Sequence, residues 1–180
     1  MISIKLIAGL LLSLFFANSG IHSFTVPKIE GGNLALNTFS GKKLLLVTLP
    51  MQQNLSSDSL LHSLDTLAAA HQYSLQVIAV PSYEDGYTPA RKSALKSWYK
   101  SKLGNYITVC DGLYTRKTSG TQQHALFKWL TKIEQNESFD IDVEGPGYKY
   151  FVKPNGELYG VLRAHVKMGS RGVYRTIMMQ

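Results

Sequence analysis

Two apolar runs, each closed by a proline, constrain the fold of this chain more than any other feature. Residues 44–49 read Leu-Leu-Leu-Val-Thr-Leu before Pro50, and residues 75–80 read Leu-Gln-Val-Ile-Ala-Val before Pro81. Runs without alternation of polar and apolar residues are typical of strands that are buried on both faces of a sheet. The two runs therefore predict neighbouring strands at the centre of a covered sheet.

The segment between the two runs has the spacing of an amphipathic helix. Ser56 and Ser57 are the candidate N-caps, Asp58 lies in the first turn, and apolar residues recur at helical spacing until about His71. A strand, a helix and a second strand in this order are typical of a parallel βαβ unit.

The remaining elements follow in an order that completes an α/β domain. We predict a second helix from Thr88-Pro89 to Gly104, a strand at 106–109, a third helix from about Thr121 through Ile133, and a last helix from about Ser170. Two hairpins are predicted, one over residues 25–39 around Gly31-Gly32 and one over residues 148–162 around Pro154-Asn155-Gly156. This order matches the thioredoxin-like plan, a central mixed sheet flanked by helices, with an N-terminal β-hairpin and an insertion.

The first residues have the pattern of a secretory signal peptide. Lys5 precedes an apolar run over residues 6–16, which is too short to cross a bilayer comfortably, and the small residues Ala17 and Ser19 follow it. We expect cleavage after Ser19, with Ser23 as a second position; an uncleaved N-terminal anchor is the alternative. The prediction is an exported protein, periplasmic or secreted, with one domain over residues 20–180 and no membrane span after cleavage.

Cysteine and histidine usage excludes several redox and metal classes. Cys110 is the one cysteine of the chain, so an intrachain disulfide, a Cys-x-x-Cys pair and a zinc site of several thiolates are excluded. The histidines never fall three or four residues apart; they are His22, His62, His71, His124 and His165. We therefore expect neither a metal nor another cofactor.

Four segments, in order along the chain, resemble landmarks of the glutathione peroxidase family. HALFKWLT at residues 124–131 is similar to the family's HPLYKWL helix start, and GKKLLLV at residues 41–47 resembles its GKVLLIV strand. DGYTP at residues 85–89 lies where the family has GGQEP, and KYFVKPNG at residues 149–156 is similar to its KFLVDRxG hairpin. The resemblance implies a thioredoxin-like fold with the insertion typical of glutathione peroxidases.

The resemblance also implies where a peroxidase site would lie, and no catalytic role is filled by a matching residue. The family uses a thiolate or selenolate nucleophile that is activated by a Gln, a Trp and an Asn. Gln53 stands at the nucleophile position, Tyr87 at that of the Gln, and Gly145 and Pro146 at the Trp-Asn pair. These replacements predict a pseudoenzyme that is retained as a binding or scaffold module.

Cys110 is the candidate for a displaced nucleophile. A residual thiol-dependent oxidoreductase, which would reduce hydroperoxides in the response to oxidative stress, is therefore the alternative function. The adjacent Asp111 argues against it, because a neighbouring carboxylate raises the pKa of a thiol. We predict a half-buried, structural Cys110.

Most of the net positive charge of the chain lies in the C-terminal segment. Residues 148–180 contain one carboxylate, Glu157, and six cations: Lys149, Lys153, Arg163, Lys167, Arg171 and Arg175. One hypothesis is a surface that faces an acidic partner, a polyanion or an anionic membrane; the alternative is a solvated face that keeps the protein soluble. A nucleic-acid partner is not expected, because the chain is predicted to be exported and lacks an interleaved aromatic and basic motif.

Overall fold

The computed structural model describes residues 20–179, and the predicted signal segment lies outside them. The described chain includes a short antiparallel hairpin of β1 (Thr25–Pro27) and β2 (Asn33–Ala35). Gly31 and Gly32 in its turn both have positive φ, which glycine adopts without strain because it lacks a Cβ. The predicted N-terminal β-hairpin is confirmed.

The predicted parallel strands with a helix between them form the centre of the fold. β3 (Lys43–Leu49) and β4 (Leu75–Pro81) are parallel neighbours, and α1 (Leu55–Ala70) joins them. All the side chains of β3 after Lys43 are buried, although they alternate between the two faces of the sheet. Burial on both faces is the physical reason for an apolar run without alternation.

The start of α1 differs from the prediction. The N-cap is Asn54, whose side-chain carbonyl accepts a hydrogen bond from the Ser57 backbone N–H at 2.9 Å. Asn54 has an extended backbone and Leu55 already belongs to the helix, so the predicted caps Ser56 and Ser57 lie inside the first turn. The Asn54 side chain satisfies one of the free N–H groups of the helix end, as a serine would.

The second predicted helix and the strand after it are present. The Thr88 hydroxyl caps a short 3-10 turn (Pro89–Arg91) by accepting from the Arg91 N–H at 3.3 Å, and α2 (Lys92–Lys102) continues from this turn. β5 (Ile107–Val109) then pairs parallel to β4. The Thr88-Pro89 pair therefore marks a helix start, as predicted.

The third helix lies in the long connection after β5, and its predicted bounds are wrong at both ends. Gly120 has φ 56° and ψ −118°, which interrupts a 3-10 turn (Lys117–Gln122) before the helix. α3 (Ala125–Thr131) starts only after His124, whose Nδ1 accepts from the Leu126 N–H at 3.2 Å. The predicted start near Thr121 is thus replaced by a separate turn.

The end of the third helix also differs. Lys132 has an extended backbone, so α3 stops at Thr131 and a four-residue helix, α4 (Ile133–Asn136), follows. Ile133 therefore does not lie on the apolar face of α3, and it is exposed.

The last hairpin completes one mixed sheet. β6 (Lys149–Val152) pairs antiparallel to β3, and β7 (Leu158–Leu162) pairs antiparallel to β6, in the strand order β5-β4-β3-β6-β7. α5 (Arg171–Met178) begins after Ser170, close to the predicted start, and the Ser170 hydroxyl caps it. The predicted fold class, a mixed sheet flanked by helices, is confirmed.

The sheet separates two apolar cores. One face packs against α1, α2 and α5, and the other packs against the N-terminal hairpin and α3. We call the edge at which the parallel strands β3, β4 and β5 end the apical edge, and the opposite edge the basal edge. Among residues 20–179, no helix is long and apolar enough to cross a bilayer.

Candidate functional site

The loop after β3 (residues 50–54) lies at the apical edge and carries the position that the family resemblance assigns to the nucleophile. Gln53 is exposed there. Two side chains hold the backbone beside it: the Tyr99 hydroxyl donates to the Pro50 carbonyl at 2.8 Å, and the Arg91 guanidinium donates to the Met51 carbonyl at 2.5 Å. The loop is therefore well fixed, but a carboxamide at its tip cannot attack a peroxide.

Tyr87 lies below the surface of the same edge and is only 2% exposed. Its hydroxyl donates to the Asp111 carboxylate, and its ring packs against Gly112. Burial, and next the hydrogen bond to Asp111, raise the pKa of the Tyr87 phenol far above its ordinary value. Tyr87 is thus a neutral donor that is already engaged. Arg91 links it to the loop after β3, because the same guanidinium donates to the Gly86 carbonyl at 2.7 Å.

Gly145 and Pro146 reach the apical edge from the other side of β3. The Thr48 hydroxyl donates to the Gly145 carbonyl at 2.9 Å, and Pro146 borders the same cleft as Asn54. Neither residue has a side-chain donor that could activate a nucleophile. The structure thus places all four positions around the ends of β3 and β4, and none of the four residues carries a thiol or selenol.

A cleft of about 560 Å³ opens beside this loop, between the first half of α1 and residues 164–168. Its apolar part includes Pro50, Leu60 and Val166. Its polar lining consists of hydroxyl, amide and ammonium groups from Asn54, Ser56, Ser57, Ser59, Ser63 and Lys167. The sequence prediction missed this cleft, although serines at 56, 59 and 63 recur on one face of a helix.

Cys110 follows β5 and is completely buried, so the prediction of a half-buried side chain is wrong. Cys110 lies in the core that includes Val26 and Leu113. It forms a β-bridge with Lys28, at the start of the hairpin turn, so the N-terminal hairpin covers Cys110. Burial, and then the Asp111 carboxylate, raise the pKa of the Cys110 thiol to about 12. The predicted direction of the pKa shift holds, but burial is the larger cause.

A partly buried acidic group beside the site was not foreseen from the sequence. The Glu84 carboxylate accepts from the Thr115 and Arg116 backbone N–H groups, both at 2.9 Å, and from the Ser82 and Ser119 hydroxyls. Burial opposes its ionisation, but these hydrogen bonds outweigh burial and lower the pKa of Glu84 to about 2. Glu84 thereby joins the loop after β4 to the long connection after β5.

The cationic residues of the C-terminal segment separate into different environments. Lys149 is completely buried, and its ammonium donates to the Gly147 carbonyl at 2.6 Å; burial lowers the pKa of Lys149 to about 8. The prediction that Lys149 belongs to an anion-facing surface is therefore wrong, because β6 is an inner strand whose side chains are covered on both faces. Lys153 is partly buried and pairs with Glu157. The other four cations are exposed: Arg163, Lys167, Arg171 and Arg175.

Solved structures with the same arrangement of strands and helices include two glutathione peroxidases. The apo form of Trgpx superposes with a TM-score of 0.64 and 16% identity over 89% of this chain and 94% of that one. GPX1 of T. cruzi has a TM-score of 0.63 and 10% identity over 88% and 94%. This chain has a thioredoxin-like fold.

A third similar structure is a thioredoxin described as a pneumococcal exposed lipoprotein, Etrx1 from Streptococcus pneumoniae. Its TM-score is 0.55 and its identity 16%, over 86% of this chain and 96% of that one. Identities this low establish the fold and leave the chemistry to the residues themselves. No protein-family model matches the sequence, and no curated protein matches it.

Within the described part of the chain, no three His, Cys, Asp or Glu side chains are grouped so that they could hold a metal ion. The polar side chains that line the cleft at the apical edge are amide, hydroxyl and ammonium groups, which can form hydrogen bonds.

Proposed function

We propose that this chain is an exported, glutathione-peroxidase-like protein without thiol peroxidase activity, and that it acts as a binding module. The observation that carries the proposal is the state of Cys110. It is the one cysteine in the sequence, and its side chain has no exposed surface. A peroxide in solution therefore has no accessible thiol with which it could react.

The chemistry of the reaction explains why this matters. A thiolate attacks one peroxide oxygen, the O–O bond breaks, an alcohol leaves, and the resulting sulfenic acid is reduced by another thiol. Burial, and next the Asp111 carboxylate, raise the pKa of the Cys110 thiol so far that it stays protonated at neutral pH. Gln53, which is exposed at the family's nucleophile position, cannot take part in this chemistry.

A peroxidase assay tests the proposal directly. We expect no hydroperoxide reduction above buffer when the purified protein is coupled to glutathione or to thioredoxin recycling, and no difference between wild type and Cys110→Ser. Turnover that Cys110→Ser abolishes would instead establish the alternative, a residual peroxidase with a displaced nucleophile. A catalytically active glutathione peroxidase assayed in parallel is the positive control.

Export is proposed from the sequence of residues 1–19, and the structure of residues 20–23 favours one of the two cleavage positions. Ile21 is completely buried, so cleavage after Ser23 would remove a core side chain, whereas cleavage after Ser19 would leave the core intact. The similar Etrx1 is described as an exposed lipoprotein, which is compatible with an exported role for this fold. Amino-terminal sequencing of protein recovered from the medium or periplasm is expected to begin at Gly20; a start at Met1 would contradict cleavage.

The partner that we propose is an acidic ligand at the cleft beside α1. Lys167 lines the cleft, and Arg163 and Arg171 extend from the same exposed segment, which contains no carboxylate. Exposed charges lose most of their mutual attraction beyond about 8 Å at physiological salt, so binding of an acidic partner must weaken as salt is raised. We expect a polyanion such as heparin to bind at low salt and to lose affinity with Lys167→Glu; unchanged affinity would leave the segment as a solvated face. The exposed Arg175 and the Glu157-paired Lys153 lie outside this cleft.

A further inference from the structure

The basal edge is built from five chain segments that hydrogen bonds bring together around Lys43. The Lys43 N–H donates to the Ser74 carbonyl at 3.2 Å, and its ammonium donates to the Ile177 carbonyl at the end of α5 at 2.6 Å. The Gly41 N–H donates to the Pro154 carbonyl at 3.2 Å, which adds the β6–β7 turn. The turn after α1, the start of β3, the end of α5 and the β6–β7 turn therefore form one continuous surface.

The start of the described chain joins the same surface and is the fifth segment. The Ile21 N–H donates to the Gly156 carbonyl at 3.1 Å, and Gly20 packs so closely on Gly156 that a Cβ would lie 2.6 Å from that carbonyl oxygen. The amino-terminal end of the described chain therefore lies at the basal edge.

The basal edge exposes apolar side chains among cations. Tyr73 is 88% exposed in the turn after α1, and Met178 is 70% exposed at the end of α5. The cations on these segments are Lys42, Lys43, Lys153 and Arg175, and the one carboxylate is Glu157. Exposed aromatic and thioether groups surrounded by a positive excess are the composition of a surface that docks on anionic lipid headgroups.

We propose that the basal edge rests on an anionic bilayer surface, with Tyr73 and Met178 in the headgroup region and Lys42 near the lipid phosphates. Because β3 runs from this edge to the apical edge over 7 residues, the proposed binding cleft is held about 20 Å away from the lipid and faces the solvent. This inference does not depend on the absence of peroxidase activity or on an acidic partner at the cleft.

Vesicle binding tests the proposal with matched variants at the two edges. Residues 20–179 contain both cores, so the chain beginning at Gly20 is the folded unit for this experiment. Co-sedimentation is measured with vesicles of phosphatidylglycerol and phosphatidylcholine in equal parts, and with phosphatidylcholine alone. Tyr73→Asp combined with Met178→Asp is compared with Leu55→Asp, because Leu55 is 90% exposed at the start of α1, at the apical edge. Lys42→Glu is compared with Lys28→Glu in the same way, because Lys28 pairs with Cys110 at the apical end of β5.

We expect wild-type protein to bind the anionic vesicles and not the neutral ones. The basal double variant should reduce the partition coefficient at least tenfold. Lys42→Glu should reduce it at least fivefold, since a cation near the surface contributes about 1 kcal/mol, which is a factor of about five. The two apical variants should stay within twofold of wild type. Failure of the wild type to bind, or a loss as large in the apical variants as in the basal ones, would overturn the proposal. Circular dichroism of each variant separates lost binding from lost folding.

Discussion

The loop after β3 and the end of β5 lie at the same edge of the sheet, and each lacks what the other has. The loop after β3 is exposed and well held, but Gln53 stands where the resemblance expects a thiol. The end of β5 carries the thiol, but Cys110 is completely buried beside the N-terminal hairpin. Thiol chemistry needs an accessible position and an ionisable sulfur at the same place. In this chain the exposed position has no sulfur, and the one sulfur lies at a buried position where its pKa is raised.

The largest expected effect is on thiol reactivity. In a Cys110→Ser background, Gln53→Cys should be labelled by a disulfide reagent at the rate of an exposed thiol. Cys110 of the wild type should react at least about a thousandfold more slowly, because it must wait for an opening of the core that costs several kcal/mol. Both proteins should react alike in denaturant, which is the control. Fast labelling of Cys110 in the folded protein would break the comparison.

Packing at the end of β5 gives the next largest effect. A Cβ on Gly112 would lie 2.0 Å from a ring atom of Tyr87, and the buried, hydrogen-bonded ring has little room to move. Gly112→Ala should therefore lower the free energy of unfolding by about 3 kcal/mol. A Cβ on Gly145 meets nothing within 4 Å, so Gly145→Ala should change it by less than about 0.5 kcal/mol. Equal effects in denaturant titrations would mean that the two regions are packed alike.

Acid stability should depend on Glu84, whose hydrogen bonds join the loop after β4 to the connection after β5. Its pKa falls from 4.5 to about 2 on folding, so its contribution to stability is present above pH 4.5 and is lost as the pH falls toward 2. After allowance for solvent screening of this partly exposed group, the contribution is about 1 kcal/mol. Glu84→Gln should lose this amount at neutral pH and flatten the pH dependence between pH 5 and pH 2, measured by denaturant unfolding. The same change at the exposed Glu134 should do neither.

The smallest expected effect is at the cap of α1. Asn54→Ala removes the side-chain acceptor for the Ser57 N–H and should cost about 1 kcal/mol in thermal or denaturant unfolding. Ser56→Ala, two residues later in the first turn of α1, should change the free energy of unfolding by only a few tenths of a kcal/mol. A larger loss of stability in Ser56→Ala than in Asn54→Ala would mean that Ser56 is the N-cap, as the sequence predicted.

The parts of the fold that depend on neighbours in sequence were predictable. The apolar run over residues 44–49, the Thr88-Pro89 pair and the Ser170 cap all mark elements that the structure contains. The third helix was not predictable in detail, because the apolar spacing continues through Lys132 and the backbone of Gly120 breaks the preceding turn. Local spacing indicates that a helix exists more reliably than where it ends.

The candidate site divides in the same way. The resemblance indicated the positions of Gln53, Tyr87, Gly145 and Pro146, and the structure brings them to one edge. It did not indicate that the hydroxyl of Tyr87 is engaged by Asp111, or that backbone groups more than 30 residues away in sequence hold Glu84. Such contacts leave no periodic signal, because the partners are joined only by the course of the chain.

By itself, the sequence determined the order of strands and helices, the hairpin turns and the presence of one thiol, because apolar periodicity, turn residues and composition act locally. Only the tertiary structure decided how deeply each polar group is buried. Cys110 is covered by the N-terminal hairpin, in which Lys28 follows β1 and forms a β-bridge with Cys110, and Lys149 is covered because β6 lies between β3 and β7. Burial sets the pKa of both groups, and it depends on elements that are distant in sequence, so these two side chains could be named from the sequence but not assigned their chemistry.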